Sequence, residues 1–165
     1  MGLGIGVTAT VSRLTGAEKL SEAQQVSAQA LILALLLASS LAILGFIFQG
    51  PIFRLMGAKP ELLSYLFDYM RWWFIGLPFL VMVIIANGVL RAKGDSKTPM
   101  RVMIFAAIIN AILDPLLIFG LMGLPRLELE GAAIATLIAR LSTFSFTIYL
   151  LFKRDIIQVK DLMPK

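Results

Sequence analysis

The sequence contains no cysteine and no histidine, and only 15% of its 165 residues are charged. Without cysteine the chain can form no disulfide and offers no thiolate for a metal ion or for catalysis. Without histidine it lacks the side chain of most catalytic triads, common zinc sites and intramembrane proton relays. Because no nucleophile–base pair or metal constellation remains, the chain is predicted not to be an enzyme and to need no organic cofactor.

The scarcity of charge is matched by an excess of apolar residues. Hydrophobic residues make up 59% of the chain, against about 45–50% in soluble proteins, and the mean hydropathy is +0.89. The length alone would fit one globular domain, but a soluble fold of this size cannot bury so much apolar surface. The composition therefore predicts an integral membrane protein.

Four apolar segments are long enough to cross a bilayer, which requires about 20 helical residues. They cover residues 26–48, 69–90, 102–122 and 132–152. Residues 1–16 are interpreted as the end of a further helix, and residues 49–68, which contain Gly50, Pro51, Gly57 and Pro60, as a connection. The predicted fold class is an all-α antiparallel transmembrane bundle with four full spans and a partial N-terminal helix.

Lysine and arginine alternate along the chain with this topology. Four lie on one predicted side of the membrane, and Arg140 lies within a span. Ten lie on the other side: Arg13, Lys19, Arg91, Lys93, Lys97, Arg101, Lys153, Arg154, Lys160 and Lys165. The positive-inside rule makes this second side cytoplasmic, so we expect a multi-pass protein of the plasma membrane. Because these charges form no single basic face, the net charge of +5 does not predict nucleic-acid binding.

Aromatic residues crowd the outer end of the second span. They are Tyr65, Phe67, Tyr69, Trp72, Trp73 and Phe74. Such a cluster is typical of an interfacial anchor, with Arg71 reaching toward the lipid headgroups.

Two charges, Asp114 and Arg140, lie in mid-membrane, where charged residues mark functional sites. Asn110 and Asp114 are four residues apart and share a helix face. Pro115 lacks an N–H, so it leaves the Ala111 carbonyl without its helical partner and is expected to kink the helix. Together these oxygens form a candidate site for a proton or a hard cation such as Na⁺. The alternative is a structural kink in which a salt bridge neutralises Asp114.

Arg140 is the candidate partner for that salt bridge. Asp114 and Arg140 each lie eight residues from the outer end of their span, about 12 Å along a helix. Consecutive antiparallel helices are usually neighbours. A tight pair would keep Asp114 ionised and weaken its role as a proton carrier.

The fourth span carries a polar stripe of Thr136, Arg140, Thr143 and Thr147 on one helical face. Such a stripe faces a bundle interior or a water-filled cavity, or it joins helices through hydrogen bonds. Elsewhere, Pro78 is expected to kink the second span. Ser96 or Thr98 is expected to cap the start of the third span.

Several segments resemble the MATE (multidrug and toxic compound extrusion) transporters. Residues 12–17 resemble the cytoplasmic end of helix two in that family, and residues 88–100 resemble the loop between helices four and five. Asn110 with residues 113–120 is similar to helix five, and residues 131–136 are similar to the start of helix six. The matches occur in order along nearly the whole chain.

The resemblance implies a twelve-helix antiporter with two pseudo-symmetric lobes, which exports cationic or amphipathic compounds in exchange for Na⁺ or H⁺. Asn110 and Asp114 match the helix-five pair of the family's ion site, and Thr136 is the counterpart on helix six. The family's first helix adds an aspartate that has no counterpart here. We therefore expect part of an N-terminal lobe, from late helix two to helix six, whose partners are the lipid bilayer, the substrate and the remainder of the transporter.

Two alternatives remain open. One is a flippase for lipid-linked saccharides in the same superfamily, where cationic cavity residues suit a pyrophosphate and Arg140 would fit. The other is a truncated membrane protein that does not transport, because alternating access requires two lobes.

Overall fold

The computed structural model describes residues 2–123 and 125–157. Met1, Lys160 and Lys165, which enter the predictions above, lie outside the described residues. The described part is helical, without strands: α1 (Gly2–Gly16), α2 (Leu20–Leu55), α3 (Pro60–Ala92), α4 (Lys97–Phe119), a short 3₁₀ turn (Leu121–Gly123) and α5 (Glu128–Lys153). Helices α2 to α5 are each long and apolar enough to cross a membrane. The predicted all-α membrane fold is confirmed.

The connection predicted over residues 49–68 is wrong. Helix α2 continues through Pro51 to Leu55 and α3 begins at Pro60, so only residues 56–59 connect them. A membrane helix tolerates proline because neighbouring groups satisfy the freed carbonyl, and proline suits the first turn of a helix. Gly57 follows the end of α2 with φ of 82°, the left-handed conformation that commonly ends helices.

The predicted third span is also slightly too long. Helix α4 ends at Phe119, because Gly120 adopts a left-handed conformation with φ of 68° and donates its N–H to the Leu116 carbonyl. Helices α3 and α4 each run without interruption through the prolines predicted to kink them, Pro78 and Pro115. The kinks themselves stay predictions.

Helix α5 connects α3 and α4 within the bundle. It packs extensively against both α3 and α4, whereas α3 and α4 contact each other only slightly. On the other side of α3, helices α1 and α2 pack against α3 and against each other. Gly131 allows the close approach of α4 and α5, because a Cβ at that position would lie 2.6 Å from the Leu117 carbonyl oxygen. Since α3 and α4 diverge, a space opens between them with α5 behind it.

The faces of α2 and α4 that point away from the bundle are strongly apolar. Helix α2 exposes Leu36, Leu41, Ile43 and Ile47, among others, and α4 exposes Met103, Ile104, Ile108 and Ile112. Large apolar faces of this kind suit lipid or further transmembrane helices.

Asp95, and not Ser96 or Thr98, caps the start of α4. Its Oδ1 accepts hydrogen bonds from the backbone N–H groups of Lys97 (3.1 Å) and Thr98 (2.9 Å), while Ser96 makes no side-chain capping bond. A carboxylate is preferred here because it also meets the positive end of the helix dipole. Hydrogen bonds from Thr98 and the ion pair with Arg154 hold the pKa of Asp95 well below its usual range.

Candidate functional site

The divergence of α3 and α4 creates a cavity of about 430 Å³. Its apolar lining comes from all three helices that surround it, α3, α4 and α5. Its polar lining consists of Asn87, Arg91, Asn110, Thr136, Arg140 and Thr143. No carboxylate lines the cavity within the described part of the chain. A volume of this size falls in the range of small-molecule binding sites, about 300–1,000 Å³.

Asn110 and Asp114 are both half-buried on α4. The Oδ1 atom of each is inaccessible and has no hydrogen-bond partner among the described residues. Leaving buried acceptors unpaired is costly, most of all for a carboxylate. A bound cation, a proton or a group from outside the described residues would relieve this cost. No group of three acidic side chains that could hold a metal ion occurs within residues 2–123 and 125–157.

Thr136 is brought to the same cavity as Asn110, although it lies on α5. Asp114 does not line this cavity and lies one helical turn farther along α4, toward the predicted outer side. The structure therefore brings two of the three predicted ion-site residues together around one space. The third lies one turn beyond Asn110 on the same helix.

The predicted pairing of Asp114 with Arg140 is wrong. The guanidinium carbon of Arg140 lies 5.2 Å from the centre of the Trp73 ring on α3. A Cβ at Gly76 would lie 3.0 Å from a guanidinium nitrogen of Arg140, so this side chain extends along α3. Asp114 lies on α4, and the ion pairs within the described residues involve other side chains. The tryptophan face and the space above Gly76 draw Arg140 away from α4.

The polar stripe of α5 has two environments. Thr136, Arg140 and Thr143 line the cavity, and Thr143 donates its hydroxyl to the backbone carbonyl of Ala139 at 2.8 Å. Thr147 is fully buried, and its Oγ1 has no partner among the described residues. The interpretation of the stripe as a cavity-facing surface is therefore confirmed for its first three members.

The aromatic cluster at the outer end of α3 makes specific contacts in addition to any role at the interface. Trp72 donates its Nε1–H to Glu130 at the start of α5, at 2.8 Å. Arg71 places its guanidinium carbon 5.0 Å from the centre of the Trp72 ring. Each of the two adjacent tryptophans thus contacts an arginine. Of these two arginines, Arg140 lines the cavity and Arg71 does not.

Comparison with known proteins assigns the chain to a family. The MatE family model matches residues 1–116. The chain belongs to the MATE family. Members of this family are transporters of the plasma membrane with several transmembrane helices, which agrees with the four apolar helices of the structure.

Curated MATE relatives and solved MATE structures match almost the whole chain. A protein of Shewanella oneidensis named as an FAD transporter is 46% identical over 92% of this chain. A probable multidrug resistance protein of Bacillus subtilis is 34% identical over 93%. A MATE multidrug transporter solved in an outward-facing conformation matches 99% of the chain with a TM-score of 0.88 and 34% identity. The chain spans about a third of the length of these proteins, namely 33%, 33% and 36%.

Asn87 and Arg91 line the cavity, but they were not among the candidate site residues predicted from the sequence. Asn87 is only 7% exposed and its Oδ1 has no partner among the described residues. Arg91 was counted among the cytoplasmic charges that set the topology, and it also lines the cavity. The two are four residues apart, so they share a helix face in the same way as Asn110 and Asp114. That spacing was the signal available in the sequence.

Proposed function

We propose that this MATE segment belongs to the N-terminal lobe of a cation-coupled antiporter, which exports drugs or other amphipathic small molecules by alternating access. One observation carries the ion-coupling part of the proposal. Asn110 and Asp114 present buried oxygens one helical turn apart that have no partner among the described residues, and Thr136 lies with Asn110 at the same cavity. Oxygen ligands of this kind suit Na⁺, and a buried carboxylate also suits a proton.

The chemistry of coupling follows from the cost of an unpaired buried carboxylate. Protonation removes the charge of Asp114 and a bound Na⁺ compensates it, so either ion favours whichever conformation buries that side chain more deeply. Release of the ion favours the conformation that exposes the carboxylate to water. Alternating access built on this switch needs a second lobe, which we propose is supplied by the remainder of the transporter.

The test uses the full-length gene product that contains these 165 residues. It is purified, placed in liposomes, and assayed for transport of the cationic dye ethidium under an imposed Na⁺ or pH gradient. Asp114→Asn is expected to abolish the dependence on the gradient, because the amide cannot change its charge. Asp68→Asn is the matched control, since Asp68 is exposed near the outer start of α3. Gradient-driven transport by Asp114→Asn at the wild-type rate would contradict the proposal.

A second candidate function is transport of FAD. The relative with 46% identity is named as an FAD transporter, whereas the 34% identical relative is named as a probable multidrug resistance protein. The same liposomes separate the two functions when they are loaded with ethidium or with FAD. Transport of FAD without transport of ethidium would favour the second candidate.

A further inference from the structure

The cavity between α3, α4 and α5 is positively charged. Arg140 and Arg91 both line it, and no acidic side chain does so within the described residues. Neither guanidinium forms an ion pair or a side-chain hydrogen bond with another described residue. The carboxylate of Asp95 is occupied by Arg154 and by the start of α4.

An unpaired arginine inside a membrane protein requires compensation. Desolvation of a charge is costly unless an opposite charge or several hydrogen bonds replace the lost water. The face of Trp73 compensates only a fraction of this cost for Arg140. Because Asp114 is not its partner, Arg140 keeps hydrogen-bond donors beside an open cavity that no described residue uses.

We propose that this cavity binds a phosphate-bearing aromatic compound, and that Arg140 is the residue that contacts the phosphate. A guanidinium resting on an aromatic ring still presents N–H groups at its edge, and their fork matches phosphate oxygens. Arg91 lies 15 residues from Gly76 along α3, about 22 Å, at the cytoplasmic end of the same cavity. It provides a first attraction for an anion that enters from that side.

The rest of the lining fits the remainder of such a molecule. Leu80, Val83 and Met103 supply apolar surface for a ring system. Asn87 is buried and lines the cavity, and its Oδ1 has no partner within the described part of the chain. It can therefore accept a hydrogen bond from a ring N–H or a hydroxyl. This selectivity is opposite in charge to the cationic substrates that the family resemblance implies.

The inference rests on the proposed transport function, because it assigns a substrate class to the same cavity. The test compares riboflavin with riboflavin 5′-phosphate, which share one ring system and differ by the phosphate. Binding to the full-length gene product in detergent is measured by titration calorimetry. The wild type is expected to bind the phosphorylated probe at least tenfold more tightly. Arg140→Gln is expected to remove most of this difference, because it weakens binding of the phosphorylated flavin far more than binding of riboflavin.

Two further variants separate recognition from structural support. Arg140→Lys keeps the charge without the planar fork, so it is expected to retain part of the preference. Arg71→Gln is the matched control, because Arg71 lies over Trp72 at a similar distance but outside the cavity. It is expected to leave both affinities unchanged.

Several outcomes would overturn the inference. Equal binding of the two flavins by the wild type would do so. Equal loss of both by Arg140→Gln would indicate a purely structural role, as would the same loss in Arg71→Gln. Failure of the proposed function can be distinguished from failure of this inference. Asp114→Asn is expected to change gradient-driven transport, whereas the preference for the phosphorylated flavin is expected to remain.

Discussion

The guanidinium of Arg140 on α5 lies over the ring of Trp73 on α3, with 5.2 Å between the guanidinium carbon and the ring centre. This contact joins the two helices at the end of the cavity opposite Arg91, toward the predicted outer side. It also explains why the acidic residue at a similar depth, Asp114, is not the partner of Arg140. The depth of a residue follows from counting along the helix, but its direction around the helix depends on which neighbour offers space and an attractive surface.

Substitution of Trp73 is expected to disturb the placement of Arg140. Trp73→Leu removes the ring face, so we expect the affinity for riboflavin 5′-phosphate to fall about 2–10-fold, the size of an exposed to partly buried cation–π contact. Trp73→Phe keeps a ring and is expected to lose less. Trp72→Leu is the control, since Trp72 contacts Glu130 and Arg71 instead. The same loss in Trp72→Leu would show that the effect is not specific to Arg140.

The cap at Asp95 is expected to contribute to stability. Asp95→Ala removes the acceptor for the first N–H groups of α4 and the ion pair with Arg154. The free energy of unfolding is expected to fall by about 1–2 kcal/mol. Ser96→Ala is the control, because Ser96 makes no capping bond and its replacement is expected to have no measurable effect. Thermal unfolding of the detergent-solubilised protein measures both.

The same residue predicts how stability depends on pH. The folded-state pKa of Asp95 is lowered, so its ionised form stabilises the folded protein. That stabilisation is complete above about pH 4, the ordinary pKa region of aspartate, and it decreases as the pH falls below this value. Asp95→Asn keeps a capping oxygen but cannot ionise. The difference in melting temperature between wild type and Asp95→Asn is therefore expected to shrink from pH 6 to pH 3, and a constant difference would contradict this.

The contact of α4 with α5 at Gly131 is expected to tolerate no side chain. A Cβ at this position would lie 2.6 Å from the Leu117 carbonyl oxygen, a backbone atom that cannot move aside. Gly131→Ala is expected to cost about 1–3 kcal/mol through overpacking. Gly6→Ala is the matched control, since a Cβ there lies more than 4 Å from the atoms of the described residues. Equal melting temperatures for the two variants would show that α4 and α5 are free to separate.

The existence of the four spans was predictable from sequence because an apolar segment of about 20 residues has few other stable states. Their ends were less predictable. Pro51 was read as a helix breaker, but one missing N–H does not end a helix that is held by its neighbours. The capping residue was placed at Ser96 or Thr98, although the adjacent Asp95 carries the stronger acceptor.

The candidate site was predictable in part. The spacing of Asn110 to Asp114 predicts Asn110, and the polar stripe and the family resemblance predict Thr136; both Asn110 and Thr136 line the cavity. The role of Arg91 was missed because a charge near a helix end was used only to set the topology. The pairing of Asp114 with Arg140 was predicted from depth alone. The contact of Arg140 with Trp73 shows that the direction in which a side chain leaves its helix also decides which partner it meets.

The slight contact between α3 and α4 has a consequence for how the cavity is closed. Helix α5 lines the base of the cavity, and α3 and α4 line its two sides. On the side opposite α5, no element within the described residues connects α3 with α4. Under the proposed function, a substrate held in this cavity is sealed from water only by a surface from outside these three helices. Occlusion is therefore a property of two facing surfaces, and this chain supplies one of them.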